Sequence, residues 1–166
     1  MYLPTFLTLY IALLHTATAT AIPLRRATLS AQNTYLTTCT TRSLTSDTTT
    51  SLLILYSGAP SSTNPPLSLG TLAASSTTWV GFTRRVALDD GSSAVFESKI
   101  ASGAESLAKS EIAGMARMER GIAVEEFVCF RDGESVFRFG AGLVGNGGKG
   151  ETTVCRAEFW CAGLGM

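Results

Sequence analysis

The sequence predicts a mainly β protein: a single-domain antiparallel β-sandwich or small barrel with at most one short helix. Three observations predict it. Runs of β-branched and aromatic residues recur along the chain, as strands require. Tight-turn pairs such as Asp89-Asp90-Gly91 and Asp132-Gly133 separate several of them. Only one stretch, from Ser102 to Gly121, has helical spacing.

The chain opens on a segment set apart from this pattern. Phe6 to Leu14 is an almost unbroken apolar run. It is shorter than the roughly 20 residues needed to cross a bilayer and matches the apolar region of a secretory signal peptide. Ala19 and Ala21 supply the small side chains that a signal peptidase requires. The expected signal peptide is therefore 1–21. No Lys or Arg precedes the apolar run, so the amino terminus alone supplies the positive end. Residues 22–26 end in Arg25-Arg26 and read as a propeptide with a dibasic processing site, or as a solvated arginine pair. Residues 27–166 form the expected secreted domain, with no further membrane-length apolar stretch.

Thr34 to Thr41 is the first expected strand. Thr37 to Ser51 and Ser61 to Thr78 are Ser/Thr-rich, and read as O-glycosylated or bare polar segments. Between them Leu52 to Tyr56 reads as a buried strand, stopped by Ser57-Gly58-Ala59-Pro60. Thr77 to Leu88 reads as one long strand with Trp79 anchoring the core, and Ala94 to Ile100 as its hairpin partner. Ser102-Gly-Ala-Glu105 has the form of a capping box. It predicts a short helix over Ala104–Lys109 followed by a strand, or a single helix through Arg120. Glu125 to Arg131 and Glu134 to Phe139 read as two strands joined by a hairpin turn at Asp132-Gly133. Gly140 to Gly150 is a glycine-rich loop, and Thr152 to Trp160 the last strand.

Cys39, Cys129, Cys155 and Cys161 make an even count, which in a secreted chain predicts two disulfides. Within one strand, Cys155 and Cys161 would stand roughly 20 Å apart, beyond disulfide reach. Each is expected to pair with Cys39 or Cys129, in an order the sequence leaves open.

The charges exclude more than they suggest. Thirteen basic and thirteen acidic residues cancel, so no basic surplus attracts nucleic acid. The one histidine is His15, inside the expected signal peptide. The mature domain thus lacks the base of Ser-His-Asp and Cys-His catalysis, and no C-x-x-C spacing suggests a metal site. Gly140-Ala-Gly-Leu-Val-Gly145 matches a dinucleotide fingerprint, but Asn146-Gly-Gly-Lys-Gly150 is poor material for the helix that must follow. Ser106-Leu-Ala-Lys109 lacks the companion motifs of penicillin-recognising enzymes. No catalytic residue and no cofactor is expected.

Tyr35-Leu-Thr-Thr-Cys39, Trp79-Val-Gly-Phe-Thr83, Phe127-Val-Cys-Phe-Arg-Asp-Gly133 and Cys155 to Cys161 together resemble the small secreted cysteine-containing proteins of filamentous fungi, of the effector-candidate type. The resemblance implies a secreted β-rich domain. The expected role is binding of an extracellular glycan or protein without catalysis. Tyr35, Tyr56, Phe82 and Trp160 are the candidate ligand-facing aromatics. Two alternatives are a hydrolase using converging carboxylates, such as Glu97 with Glu126, and a structural protein of the cell wall or surface.

Overall fold

A computed structural model describes residues 32–42, 46–61, 63–72, 78–140 and 152–165. The expected signal peptide, the dibasic site and the glycine-rich segment 141–150 lie outside the described residues.

The fold is one antiparallel sheet, curved until it nearly closes into a barrel. Its strands are β1 (Asn33–Arg42), β2 (Asp47–Tyr56), β3 (Ser68–Thr71), β4 (Thr83–Ala87), β5 (Val95–Ile100), β6 (Ile112–Arg120), β7 (Ala123–Arg131), β8 (Val136–Phe139) and β9 (Thr152–Gly163). They run in the order β3-β2-β1-β9-β7-β6-β5-β4, with β8 also on β9. The two end strands meet: the Asp89 N–H donates to the Leu69 carbonyl at 2.8 Å. Gly70 permits that approach, because a Cβ there would stand 2.5 Å from Val86 Cγ1 and 2.7 Å from the Ala87 carbonyl oxygen.

The barrel interior is filled. Leu36, Leu53, Trp79, Phe96, Ile100, Phe127 and Phe159 are fully or almost fully buried there, together with Cys129 and Cys161. Trp79 is the core anchor expected of it, and its Nε1–H donates to the Thr37 carbonyl at 3.3 Å. A second, smaller core lies on the other side of the sheet. Tyr35, Cys39, Leu52, Ile54, Tyr56, Phe137, Phe139, Cys155 and Ala157 build it. Phe137 of β8 reaches Tyr56 of β2, with ring centroids 5.8 Å apart, so β2-β1-β9-β8 curls over this outer side.

One irregularity allows two cores. The β1–β9 register shifts between Leu36 and Thr37: Leu36 opposes Phe159 and Thr37 opposes Ala157, leaving Glu158 over. This β-bulge changes which side the alternating residues of β9 face. Cys155 and Ala157 point to the smaller core, Phe159 and Cys161 to the barrel.

Several expectations need correction. Asp132-Gly133 is not a hairpin turn. β7 runs along β9 from Phe127↔Gly163 to Arg131↔Phe159, and β8 continues along the same strand from Val136↔Arg156 to Phe139↔Thr153. Residues 132–135 are thus an interruption between two collinear partners of β9. The Asp132 carboxylate stabilises it by accepting the Glu134 and Ser135 N–H groups, both at 2.9 Å. Thr77 to Leu88 is not one strand either: Val80 bridges Ile100 in parallel, Gly81 turns the chain at φ +79°, and β4 starts at Thr83. The Ser/Thr-rich stretch 37–51 is largely strand, in β1 and β2. The helix expected near Ala104 is a single 3-10 turn, Ala104–Ser106, with no side-chain cap, so the capping box does not form. The strand alternative for the following residues is correct, as β6.

Both disulfides join directly opposed residues of neighbouring strands. Cys39 pairs with Cys155 and Cys129 with Cys161. As spacing required, neither Cys155 nor Cys161 pairs with the other.

Candidate functional site

Beyond the bulge, β9 turns Trp160 and Ala162 to the outer face of the sheet. Most of the partners that stand opposite them in register are also apolar, the exception being Asn33 opposite Ala162. One row across the strands reads Tyr35, Trp160, Phe130, Ile112. The next reads Ala162, Val128, Met115. The Trp160 and Phe130 rings stack with centroids 4.8 Å apart and planes at 24°. Ile112 is 67% exposed and Met115 49%. The result is an apolar, aromatic platform on the outer face of the sheet.

Polar groups gather at one edge of this platform. A concavity of about 230 Å³ is lined by Trp160, Asn33, Lys109, Asp132 and Ser135, among others. Lys109 pairs with Glu134, and that carboxylate raises its pKa. Asp132 is buried and held in place by the two amides of its own loop. An indole ring beside fixed hydrogen-bonding groups suits a ligand with one apolar face and a hydroxylated rim.

Three of the four aromatics expected to face a ligand are neighbours, since Tyr35 opposes Trp160 in register and packs on Tyr56, while Phe82 stands apart. Trp160 is on the platform, half-buried. Tyr35 and Tyr56 are largely buried, each packed against the other and against Phe137 with centroids 4.9–5.9 Å apart, and Tyr35 also lines the concavity beside Trp160. Burial raises the pKa of both, aided at Tyr35 by the charge of Asp132. Phe82 is 58% exposed but precedes β4, which is separated from the β9 strand of Trp160 by β7, β6 and β5. The Arg84 guanidinium lies 4.6 Å from its ring centre.

Comparison with known protein families, curated proteins and solved structures returns no match.

The carboxylates show a different arrangement from a hydrolase pair. Glu97, Arg117 and Glu126 stand in one cross-strand row, with Arg117 in the middle. Arg117 bridges Glu97 at 3.2 Å and Glu119 at 3.3 Å, and Arg85 bridges the same two acids at 3.2 and 3.3 Å. Four side chains close a ring of alternating charge on an open face. In the Asp89-Asp90 pair, the Asp90 carboxylate accepts hydrogen bonds from Ser92, which lower its pKa. Asp90 thus caps a turn, and both aspartates line a small concavity whose other walls are Pro65 to Leu69.

Sequence reasoning missed Phe130 and Ile112. The signal for Phe130 was present: if Phe127 and Cys129 face the core, strand alternation turns Phe130 outward. Ile112 had no such signal, because the Ile112, Met115, Met118 spacing was compatible with a helix.

Proposed function

We propose that the chain is a secreted, non-enzymatic binding protein that takes an extracellular glycan on the Trp160–Phe130 face. The observation that carries this reading is the stacked indole–phenyl pair beside the Asn33, Lys109, Asp132 and Ser135 concavity. A sugar ring presents C–H groups on its face and hydroxyls at its edge. The first match an aromatic surface, and the second match side chains that donate and accept. Two disulfides support an oxidising, extracellular setting. Among the described residues no helix is long and apolar enough to cross a membrane. The resemblance to small secreted fungal proteins agrees with this setting.

The test uses the protein's own tryptophans. Trp79 is fully buried, so a fluorescence change on adding a ligand reports on Trp160. Protein recovered from culture medium is titrated with neutral oligosaccharides from wall β-glucan, chitin and mannan. Expected is a saturable change with one class, abolished by Trp160→Ala and weakened by Phe130→Ala. Absence of binding to all three, or binding indifferent to Trp160→Ala, overturns the reading.

A further inference from the structure

The opposite side of the same strands carries a second, larger concavity. Where β1, β9 and β8 extend past the Glu158 bulge, they enclose a groove of about 920 Å³. Its lining includes Arg42, Arg138 and Arg156, rows of threonine hydroxyls, and one acid, Glu158. Glu158 already accepts a hydrogen bond from Thr38. Among the described residues, the groove lining therefore holds three guanidinium groups and one carboxylate, which is already hydrogen-bonded, in a protein whose overall charge is zero.

Their local partners are weak. Arg42 and Asp47 are 3.9 Å apart with both side chains mostly exposed. Arg156 donates to the Gly133 carbonyl at 3.4 Å. Arg138 makes no ion pair among the described residues. Register spreads the three along the groove. Arg138 opposes Val154 while Arg156 opposes Val136, so these two are diagonal neighbours, about 7–8 Å apart. Arg42 opposes Thr152 on the far side of β9, about 12 Å from Arg138 at ordinary strand spacing.

We propose that this groove binds an anionic polysaccharide, its carboxylate or sulfate groups meeting Arg42, Arg138 and Arg156. Guanidinium groups bind such oxyanions in a bidentate fashion, and the threonine hydroxyls between them can bond sugar hydroxyls. The spacing suits a chain with separated charges. Nucleic acid fits less well: among the described residues no aromatic side chain lines the groove to stack a base, and three arginines neutralise few phosphates. The site is independent of the Trp160 platform, which lies on the opposite side of the sheet.

The experiment is calorimetric titration of protein from culture medium with four probes of similar length: an oligogalacturonate, a heparin-type sulfated oligosaccharide, a neutral β-glucan oligosaccharide and single-stranded DNA. Arg138→Ala, Arg156→Ala, the Lys variant at each position, and Trp160→Ala are compared, with circular dichroism checking the fold. Expected is binding of one or both acidic glycans that weakens with salt. Each Ala variant should lose about tenfold in affinity, the Lys variants less, and Trp160→Ala nothing. Preference for the oligogalacturonate assigns the groove to uronate, and preference for the heparin-type probe to sulfate. The proposal is overturned if neither acidic glycan binds, if the Ala variants bind as tightly as the parent, or if the DNA or the neutral probe binds the groove as well. Loss of neutral-glycan binding in Trp160→Ala alone bears on the other face, so the two readings fail separately.

Discussion

Cys155 and Cys161 lie on one strand, an even number of residues apart, yet they face opposite sides of the sheet and tie opposite edges of β9 to its neighbours. In a regular strand their side chains would share a face. The extra residue at Glu158 separates them. One disulfide therefore staples the smaller core through β1 and the other staples the barrel through β7.

The two disulfides close loops of different length, 116 and 32 residues. Chain entropy assigns them about 5 and about 4 kcal/mol. Replacing Cys39 and Cys155 by Ala should therefore destabilise somewhat more than replacing Cys129 and Cys161. Urea unfolding of the two double variants checks the order. Larger loss from the Cys129/Cys161 pair would mean that packing inside the barrel outweighs loop entropy.

Gly70→Ala should loosen the barrel seam. The new methyl would meet the Ala87 carbonyl oxygen at 2.7 Å, and overpacking of this kind costs about 1–3 kcal/mol. Amide hydrogen exchange at Asp89, whose N–H bonds across the seam, should accelerate more than exchange in β7 or β9. Uniform acceleration throughout the sheet would show that the seam does not open by itself.

Asp132→Ala should leave the Glu134 and Ser135 N–H groups without their acceptor and cost about 1–3 kcal/mol. Asp132→Asn keeps a carbonyl oxygen in place and should cost less. Thermal unfolding of both variants compares them, and an equal loss would point to charge, not to the hydrogen bonds.

Stability should fall at alkaline pH through Tyr35 and Tyr56. Both folded pKa values are raised above 10.0, mainly by burial. A raised value means that the folded state holds the proton more tightly than the unfolded chain. The stability this contributes is complete below pH 10.0 and lost as pH rises through the folded values. The other two tyrosines, Tyr2 and Tyr10, belong to the expected signal peptide. In residues 27–166, tyrosinate absorbance should thus report Tyr35 and Tyr56 alone. Its rise should coincide with loss of near-ultraviolet circular dichroism. Full ionisation near pH 10 with the fold intact would contradict the burial of these rings.

Local chemistry made much of this protein legible without a structure. β-branched and aromatic runs such as Thr34–Thr41 and Glu125–Arg131 marked strands, because such side chains suit an extended, half-buried backbone whatever their neighbours. Trp79 was legible as core for its size, and an even cysteine count marked two disulfides. Partnership was not legible. Asp132-Gly133 has the composition of a hairpin turn, but hydrogen bonding to β9 draws β7 and β8 into line instead. Alternation places Trp160 on one side of β9 and Arg156 on the other only once the Glu158 bulge is known, and no residue in the sequence announces that bulge. Propensity and spacing act within a few residues and therefore determined the elements and the disulfide count. Which strand lies beside which, and hence which side chains share a face, depends on long-range pairing. Only the tertiary structure decided that Trp160 meets Phe130 and that Arg42, Arg138 and Arg156 line one groove.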